Sequence, residues 1–310
     1  MAFSPLSSLD DPCSVAVDWN TVWREQYRRN KESNPSRDWP RLWEDRKRAL
    51  KFWALFAENR ERVDWGLQGT DIAATSRVLD IGAGPGVLAI PIAKKVQHVT
   101  AVEPGDGMVS VLKEKMAEHD VQNISIVQKR WEDVDVNADL QPPYDVVIAS
   151  FSLGMLEIRA AIEKMVAVSS KYVYLYWFAG DTSWDIQFKE LWPLLHGRAY
   201  HPEPKCDILF NVLYQMGIYP NVEVFNHQLH QCFSSLPEAL DALRSQYQID
   251  TDAQEVTFRE HLPRLLQEKN GSFILPSFTI RVKMWWEKMI GDRSCASLLG
   301  REYVSKIHRE

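Results

Sequence analysis

Three glycines at alternate positions, Gly82, Gly84 and Gly86, close the segment VLDIGAGPG, which begins as a short apolar run and passes through the acid Asp80. A strand that ends in glycines can turn sharply and lets another molecule approach the turn backbone with no Cβ in the way. Gly82, Ala83, Gly84 and Gly86 therefore read as a ligand shelf. The spacing is G-x-G-x-G, and Val87 stands where the phosphate-binding dinucleotide fingerprint needs its third glycine, so a pyrophosphate is not the favoured ligand. Asp80 points the same way, because a carboxylate there repels phosphate and attracts an ammonium or a water-bridged amino acid.

Further motifs follow in order. Val99 to Glu103 is a second apolar run that ends in an acid, with Pro104, Gly105 and Met108 directly after it. Ile124 to Val127 reads as a third strand and leads into Arg130, Trp131 and Glu132; YDVVIASFSL reads as a fourth, ending at Ser150 and Phe151. In this order the four segments resemble the class I S-adenosylmethionine-dependent methyltransferases over roughly residues 78 to 178. The resemblance implies that S-adenosylmethionine lies along the glycine turn beside Asp80 and that Glu103 holds both ribose hydroxyls. It also implies that Pro104 and Met108 pack under the adenine, that Arg130, Trp131 and Glu132 line it, and that Ser150 and Phe151 face the ligand. One departure stands out: the family commonly has an aspartate where this chain has Arg130, and an arginine cannot accept the adenine amino hydrogen bond. Glu132, the backbone or a nearby polar side chain must do so instead.

The acceptor is less visible than the donor. A sulfonium methyl already carries the hard chemistry, and the protein chiefly aligns a nucleophile with it, so a base is needed only for a protonated acceptor. Asp181, Trp184, His196, Tyr200, His201, Cys206 and Asp207 crowd a stretch read as a long loop over the site from Asp181 to Pro204. His196, His201 and Tyr200 are the candidates for catalysis, histidine because it titrates near neutral pH. Their spacing fits no zinc signature, and no metal is expected. Trp177 or Phe178, at the end of the aromatic run YVYLYWF, is placed to face a cation through its ring. The Asn/Asp-Pro-Pro-Tyr loop of base and glutamine methylation is absent: Ser150-Phe151-Ser152-Leu153 follows the fourth strand, and Pro142-Pro143-Tyr144 precedes it.

These residues need a frame to hold them. Strand and helix alternate from Arg77 to Phe178, which argues a parallel sheet wound on both faces with ligand at the carboxyl ends of its strands. The expected fold class is α/β, a doubly wound, mostly parallel, seven-stranded Rossmann-like methyltransferase sheet with an N-terminal helical cap and a C-terminal helical insertion. Runs at Val222 to Phe233 and Phe278 to Trp285 read as extended and supply the antiparallel pair that closes such a sheet. Ile208 to Met216, Pro237 to Gln246 and Phe258 to Lys269 read as helices. The domain division is 1–69 for the cap, 70–290 for the methyltransferase domain with the insertion at about 234–271, and 291–310 for a tail. Within the cap, Trp19, Trp23 and Tyr27 make an aromatic stripe, and Pro40 is suited to open a second helix carrying Trp43, Leu50 and Trp53.

Composition narrows the class. The 310 residues carry a net charge of −6, which gives no global pull toward a polyanion and disfavours nucleic acid. Against that background, residues 19 to 62 hold twelve Lys or Arg and seven Asp or Glu, a basic patch suited to greeting an anionic substrate. No apolar run reaches the length of a membrane helix, the start lacks a secretory leader, and Cys13, Cys206, Cys232 and Cys295 are scattered. A cytoplasmic enzyme acting on a small molecule is the expectation, with methylation of a protein side chain second. A dinucleotide-dependent oxidoreductase or a non-catalytic cofactor-binding partner protein is the reading from another class.

Overall fold

The computed structural model describes residues 17–34, 43–57, 69–70, 72–228 and 230–288. Pro40, Trp39, Trp65, Cys13, Cys295 and the 291–310 tail lie outside the described residues. Helix α1 (Trp19–Ser33) starts at Asp18, whose carboxylate accepts from the Asn20 amide at 3.2 Å. Its aromatic stripe faces inward: Trp23 is fully buried and donates its indole N–H to the Met155 carbonyl at 2.8 Å. Helix α2 is Arg46–Ala57, so Trp43 belongs to the turn before the helix rather than to the helix itself.

The sheet region then alternates: β1 (Arg77–Ile81), α3 (Ala89–Ala93), β2 (His98–Val102), α4 (Asp106–Glu118), β3 (Ile124–Val127), α5 (Val136–Asp139), β4 (Tyr144–Ser150), α6 (Ile158–Val168) and β5 (Ser169–Phe178). After it come α7 (Ser183–His196), α8 (Cys206–Gln215), β6 (Asn221–Gln228), β7 (Gln231–Phe233), α9 (Leu236–Arg244), α10 (Asp252–His261), β8 (Gln267–Lys269), β9 (Ser272–Leu275) and β10 (Phe278–Glu287). Seven strands form one sheet in the order β3-β2-β1-β4-β5-β10-β6. The first five run parallel, and β10 is antiparallel to both β5 and β6, the closing pair expected from the two extended runs, except that the run read from Val222 to Phe233 divides and its last part, Gln231–Phe233, joins a separate sheet. Strands β1, β2 and β4 are buried almost throughout because helices cover both faces. One face packs Leu79, Val147 and Val173 with α1, α6 and α8; the other packs Val78, Val99 and Tyr174 with α3 and α4.

Two further expectations fail beyond β5. The stretch 181–204 is not a long loop: it contains α7, which begins with a reciprocal capping box between Thr182 and Asp185 and stops at Gly197 in the left-handed region, φ 65°. The signals were present, a Thr-x-x-Asp start and Phe188, Leu191, Trp192 and Leu195 at helical spacing. Those side chains nucleate a second core with Tyr247, Phe258 and Leu262, separate from the sheet cores. The run 258–269 is likewise not one helix. Pro263 lacks an amide hydrogen, the chain tightens into a short 3-10 turn over Leu262–Leu265, and Asn270-Gly271 then makes a two-residue hairpin joining β8 to β9. Both turn residues have positive φ, 53° and 77°. The segment from Gln231 to Leu275 thus carries a three-stranded sheet, β7-β9-β8, besides its helices.

Candidate active site

The carboxyl ends of β1, β2, β4 and β5 open onto a cavity of about 1700 Å³. A pocket for one small ligand measures about 300–1000 Å³, so there is space for a cofactor and an acceptor together. The turn after β1 folds toward β2, with the Gly82 and Ala83 amides both donating to the Val102 carbonyl at 2.8 and 3.1 Å. All three glycines have positive φ, but each is required for a different reason. A Cβ on Gly82 would lie 2.3 Å from that of Ser152, and one on Gly86 would lie 2.5 Å from Leu112 Cδ1 on α4. A Cβ on Gly84 would meet nothing nearer than Met108 Sδ at 4.0 Å. Gly84 therefore faces the open cavity and forms the shelf. Gly86, counted from the motif as a cofactor contact, is not among the lining residues and serves the packing of α4.

Glu103 follows β2 and is 6% exposed. Its Oε2 accepts from the Gly84 amide at 2.9 Å and its Oε1 from the Gly105 amide at 2.8 Å. Burial pushes its pKa up, and the two amides oppose that shift without cancelling it. Each carboxylate oxygen has a second lone pair to offer, so the group is fixed in orientation and suited to a pair of adjacent hydroxyls. Asp80, 1% exposed at the end of β1, lines the same end of the cavity.

Pro104, Met108, Arg130, Trp131, Glu132, Ser150 and Phe151 also line the cavity. Trp131 belongs chiefly to the core: it is 3% exposed and its indole donates to the Ala161 carbonyl at 3.0 Å. Arg130 and Glu132 are exposed on either side of it. Phe151 sits at φ 55°, unusual for a residue with a side chain, and its amide donates to the Tyr176 carbonyl at 3.0 Å. Two contributions went unread in the sequence. Ser152 donates to the Ile81 carbonyl at 2.6 Å and ties the β4 loop to the glycine turn. Trp43 lines the cavity because Gly105 and Gly107 let its turn settle on the start of α4, where the Met108 amide donates to the Trp43 carbonyl at 3.3 Å. Glycines two apart at a helix start were the available signal.

The far end of the cavity is aromatic. Phe178 lies 4.9 Å from Phe151 and 5.3 Å from Trp184 between ring centroids, while Trp177 donates its indole N–H to the Pro204 carbonyl at 2.7 Å. Lys205 Nζ stands 5.6 Å from the Phe178 ring, so that ring does face a cation, one supplied by the chain. Lys205 also pairs with Asp185 at 2.7 Å, both side chains being almost wholly buried. Tyr200 donates to the other Asp185 oxygen at 2.9 Å, and the Thr182 amide and hydroxyl donate to the first. Burial raises the Asp185 pKa, but Lys205 and the Thr182 hydrogen bonds outweigh it and hold the carboxyl below its usual range.

Of the three catalytic candidates, only Tyr200 lines the cavity, and its hydroxyl is committed to Asp185. His196 is turned away: Nε2 donates to the Tyr247 carbonyl at 3.0 Å, Nδ1 accepts from Gln254 at 3.2 Å, and burial lowers its pKa. His201 sits in a separate surface hollow with Arg29, Glu32 and Arg198. The histidines that line the cavity are His227 and His230, brought there by the end of β6, a strand the spacing of the 181–207 segment could not connect to the site. Cys206 opens α8, and burial pushes its thiol up. Among the described residues no group of three or more His, Cys, Asp or Glu is arranged to hold a metal ion, and no helix is long and apolar enough to cross a membrane.

Comparison with known proteins agrees with this geometry. Residues 78–171 match the model of a methyltransferase domain family. An uncharacterized protein of Haemophilus influenzae is 31% identical over 156 residues, which is 50% of this chain and 56% of that one. A mitochondrial ribosomal RNA small subunit methyltransferase of Arabidopsis thaliana is 32% identical over 93 residues, 30% of this chain and 23% of that one. The chain thus spans about half the length of the first of these relatives and less of the second. Among solved structures, the YcgJ protein from Bacillus subtilis is similar in fold, with a TM-score of 0.50 at 17% identity over 73% of this chain and 98% of that one. The glycine turn, the acid after β2 and strands β2 to β4 all lie within the matched residues 78–171, so this stretch of the chain is similar to methyltransferase domains, and the seven-stranded sheet shares its fold with the YcgJ protein.

Proposed function

We propose that the protein transfers a methyl group from S-adenosylmethionine to a small-molecule acceptor bound at the aromatic end of the same cavity. The observation that carries this reading is the Glu103 carboxylate, clamped by the Gly84 and Gly105 amides at the edge of the open Gly84 shelf. A dinucleotide would bring a pyrophosphate to this turn, and Asp80 and Glu103 would both repel it. The chemistry on offer is in-line displacement: the sulfur–methyl bond breaks with its electron pair left on sulfur as an acceptor lone pair forms the new bond, and any proton on the acceptor leaves to solvent or a base.

The chain's own residues do the rest. Glu103 takes the two ribose hydroxyls, Asp80 the amino group directly or through water, and Trp131 and Glu132 the adenine side, with Glu132 replacing the missing aspartate as acceptor for the amino group. Trp43, from the turn before α2, and Met108, on α4, cover that side. Asp185, Lys205 and Tyr200 hold the start of α7 against the segment after it and so keep the acceptor wall in shape. Alignment and exclusion of water by these walls supply the acceleration. A small acceptor is favoured over a polymer because its walls, from β5, α7, β7 and β10, belong to the same cavity as the cofactor end.

Calorimetry with S-adenosylhomocysteine and with NAD tests the cofactor; binding of NAD alone overturns the reading. Methyl-labelled S-adenosylmethionine, incubated with the protein and either deproteinised or intact lysate, tests the acceptor. Label in a metabolite of the deproteinised sample is the expected result, and label only in polypeptides of the intact sample moves the assignment to protein side chains.

A further inference from the structure

The acceptor end carries a buried basic stripe that methyl transfer alone does not call for. Thr279, Arg281 and Lys283 alternate on one face of β10 and are 3%, 7% and 2% exposed. His227, also buried, is the register partner of Thr279 on β6. Of these, Thr279, Arg281 and His227 line the cavity, while Lys283 packs on the Trp285 ring at 5.1 Å.

Arg281 occupies the central position. It pairs in register with Phe178, the last residue of β5, and its guanidinium lies 5.0 Å from the Phe151 ring centroid. Its Nε donates to the Thr279 hydroxyl at 3.1 Å, which fixes the plane of the fork. Phe151 adjoins Ser152, whose hydroxyl bonds the residue before Gly82. Phe151 thus connects the guanidinium to the loop that is tied to the glycine turn. Of the carboxylates in this part of the molecule, Asp185 is paired with Lys205 and Glu223 lies 3.6 Å from Lys283, while Asp80 and Glu203 line the cavity along with Arg281. A guanidinium has five N–H donors and holds more than one acceptor at a time; its planar fork matches a carboxylate with two parallel hydrogen bonds. Beside it, the Phe151, Phe178 and Trp184 rings adjoin at 41° and 87° to one another, an aromatic corner that can take a flat apolar body face-on against one ring and edge-on against the next.

We propose that the acceptor is a planar small molecule bearing a carboxylate, held by its anionic group on Arg281 and by its ring against Phe178 and Trp184, with the nucleophilic atom toward the Gly82–Gly84 turn. This rests on the transferase reading of the cavity. It deepens that reading by giving the acceptor a charge and a shape.

The test uses the full chain saturated with S-adenosylhomocysteine and titrated calorimetrically with benzoate and with benzamide, its neutral counterpart. Benzoate is expected to bind about tenfold or more tightly than benzamide, the usual worth of a charge-assisted hydrogen bond. Arg281→Met is expected to erase that preference and Arg281→Lys to restore part of it, with S-adenosylhomocysteine affinity unchanged in both. Equal affinities for the two probes, no benzoate binding, or a preference that survives in Arg281→Met each overturn the proposal. The wild-type comparison needs no variant and stands even where a variant fails to fold. Failure of the wild-type chain to bind S-adenosylhomocysteine overturns the cofactor reading, and this inference with it.

Discussion

The two ends of the cavity are made of different material. At the donor end, backbone does the work: the Gly82 and Ala83 amides fix the turn, the Gly84 and Gly105 amides orient Glu103, and the shelf is a place where a side chain is missing. At the acceptor end, side chains from distant segments meet: Asp185 on α7, Tyr200 and Lys205 after it, and Arg281 on β10. A backbone-built site tolerates little variation and is tied to one fold. A site built from side chains can be altered one residue at a time.

The contrast is sharpest among the glycines. Gly82→Val drives a side chain into Ser152 at a left-handed position and is expected to cost about 3 kcal/mol or more, enough to compromise folding in a urea titration. Gly84→Val carries only the left-handed penalty of about 1–2 kcal/mol, yet should abolish S-adenosylhomocysteine binding by calorimetry. Normal binding in Gly84→Val would remove the shelf from the donor end.

At the acceptor end the largest effect should come from Lys205→Met, which leaves the Asp185 carboxylate buried without its cation and is expected to destabilise by about 3–5 kcal/mol. Adding Asp185→Asn should recover part of the loss, whereas additive losses would mean that the pair is not coupled. The pH dependence has a definite sign. The folded-state pKa of Asp185 lies below 3.8, so its contribution is fully present above that value and is lost as the pH falls through the folded one.

Glu103→Ala should weaken S-adenosylhomocysteine by about 1–3 kcal/mol while leaving the fold largely intact. Glu103 titrates above 4.5 in the folded protein, so cofactor affinity should fall on acidification before an ordinary carboxylate protonates. In that same window the ligand-free fold should gain stability as the pH falls, because the folded state takes up the proton first. A wild-type affinity flat down to pH 4.5 would disconnect Glu103 from the ligand.

The smallest effect on turnover is expected for His196→Ala. Its ring stacks 4.0 Å from Trp192 and both nitrogens are used in the satellite core, so thermal stability should drop while kcat/KM stays near wild type. Loss of turnover at unchanged stability would return His196 to the acceptor site.

The same division explains what could be read in the residues alone. The glycine turn, Glu103 and the order of the first five strands are written in contiguous segments, where a few glycines and acids at fixed spacing constrain the backbone directly. Even the antiparallel closing pair was visible as two extended runs. Helix α7 is signalled by its Thr182-x-x-Asp185 start and apolar spacing, but its tryptophans and histidine are also residue types that line binding loops, and the two patterns overlap in one segment. Asn270-Gly271 carried a hairpin signal directly after the run read as a helix to Lys269. Arg281 and His227 had no local signature: they reach the cavity only because β10 and β6 close the sheet beside β5, a non-local pairing that no short window contains.

Gly105 and Gly107 carry one more implication. A Cβ on Gly107 would come within 2.7 Å of the backbone at Glu44 and Asp45, so the leading turn of α2 and the loop after β2 are interlocked at main-chain distance. A division of the chain at residue 69 cuts through that seam. A trimmed protein beginning there would forfeit Trp43 from the cavity wall, and moving the sheet region into another scaffold would require taking the turn at residues 43–46 along with it.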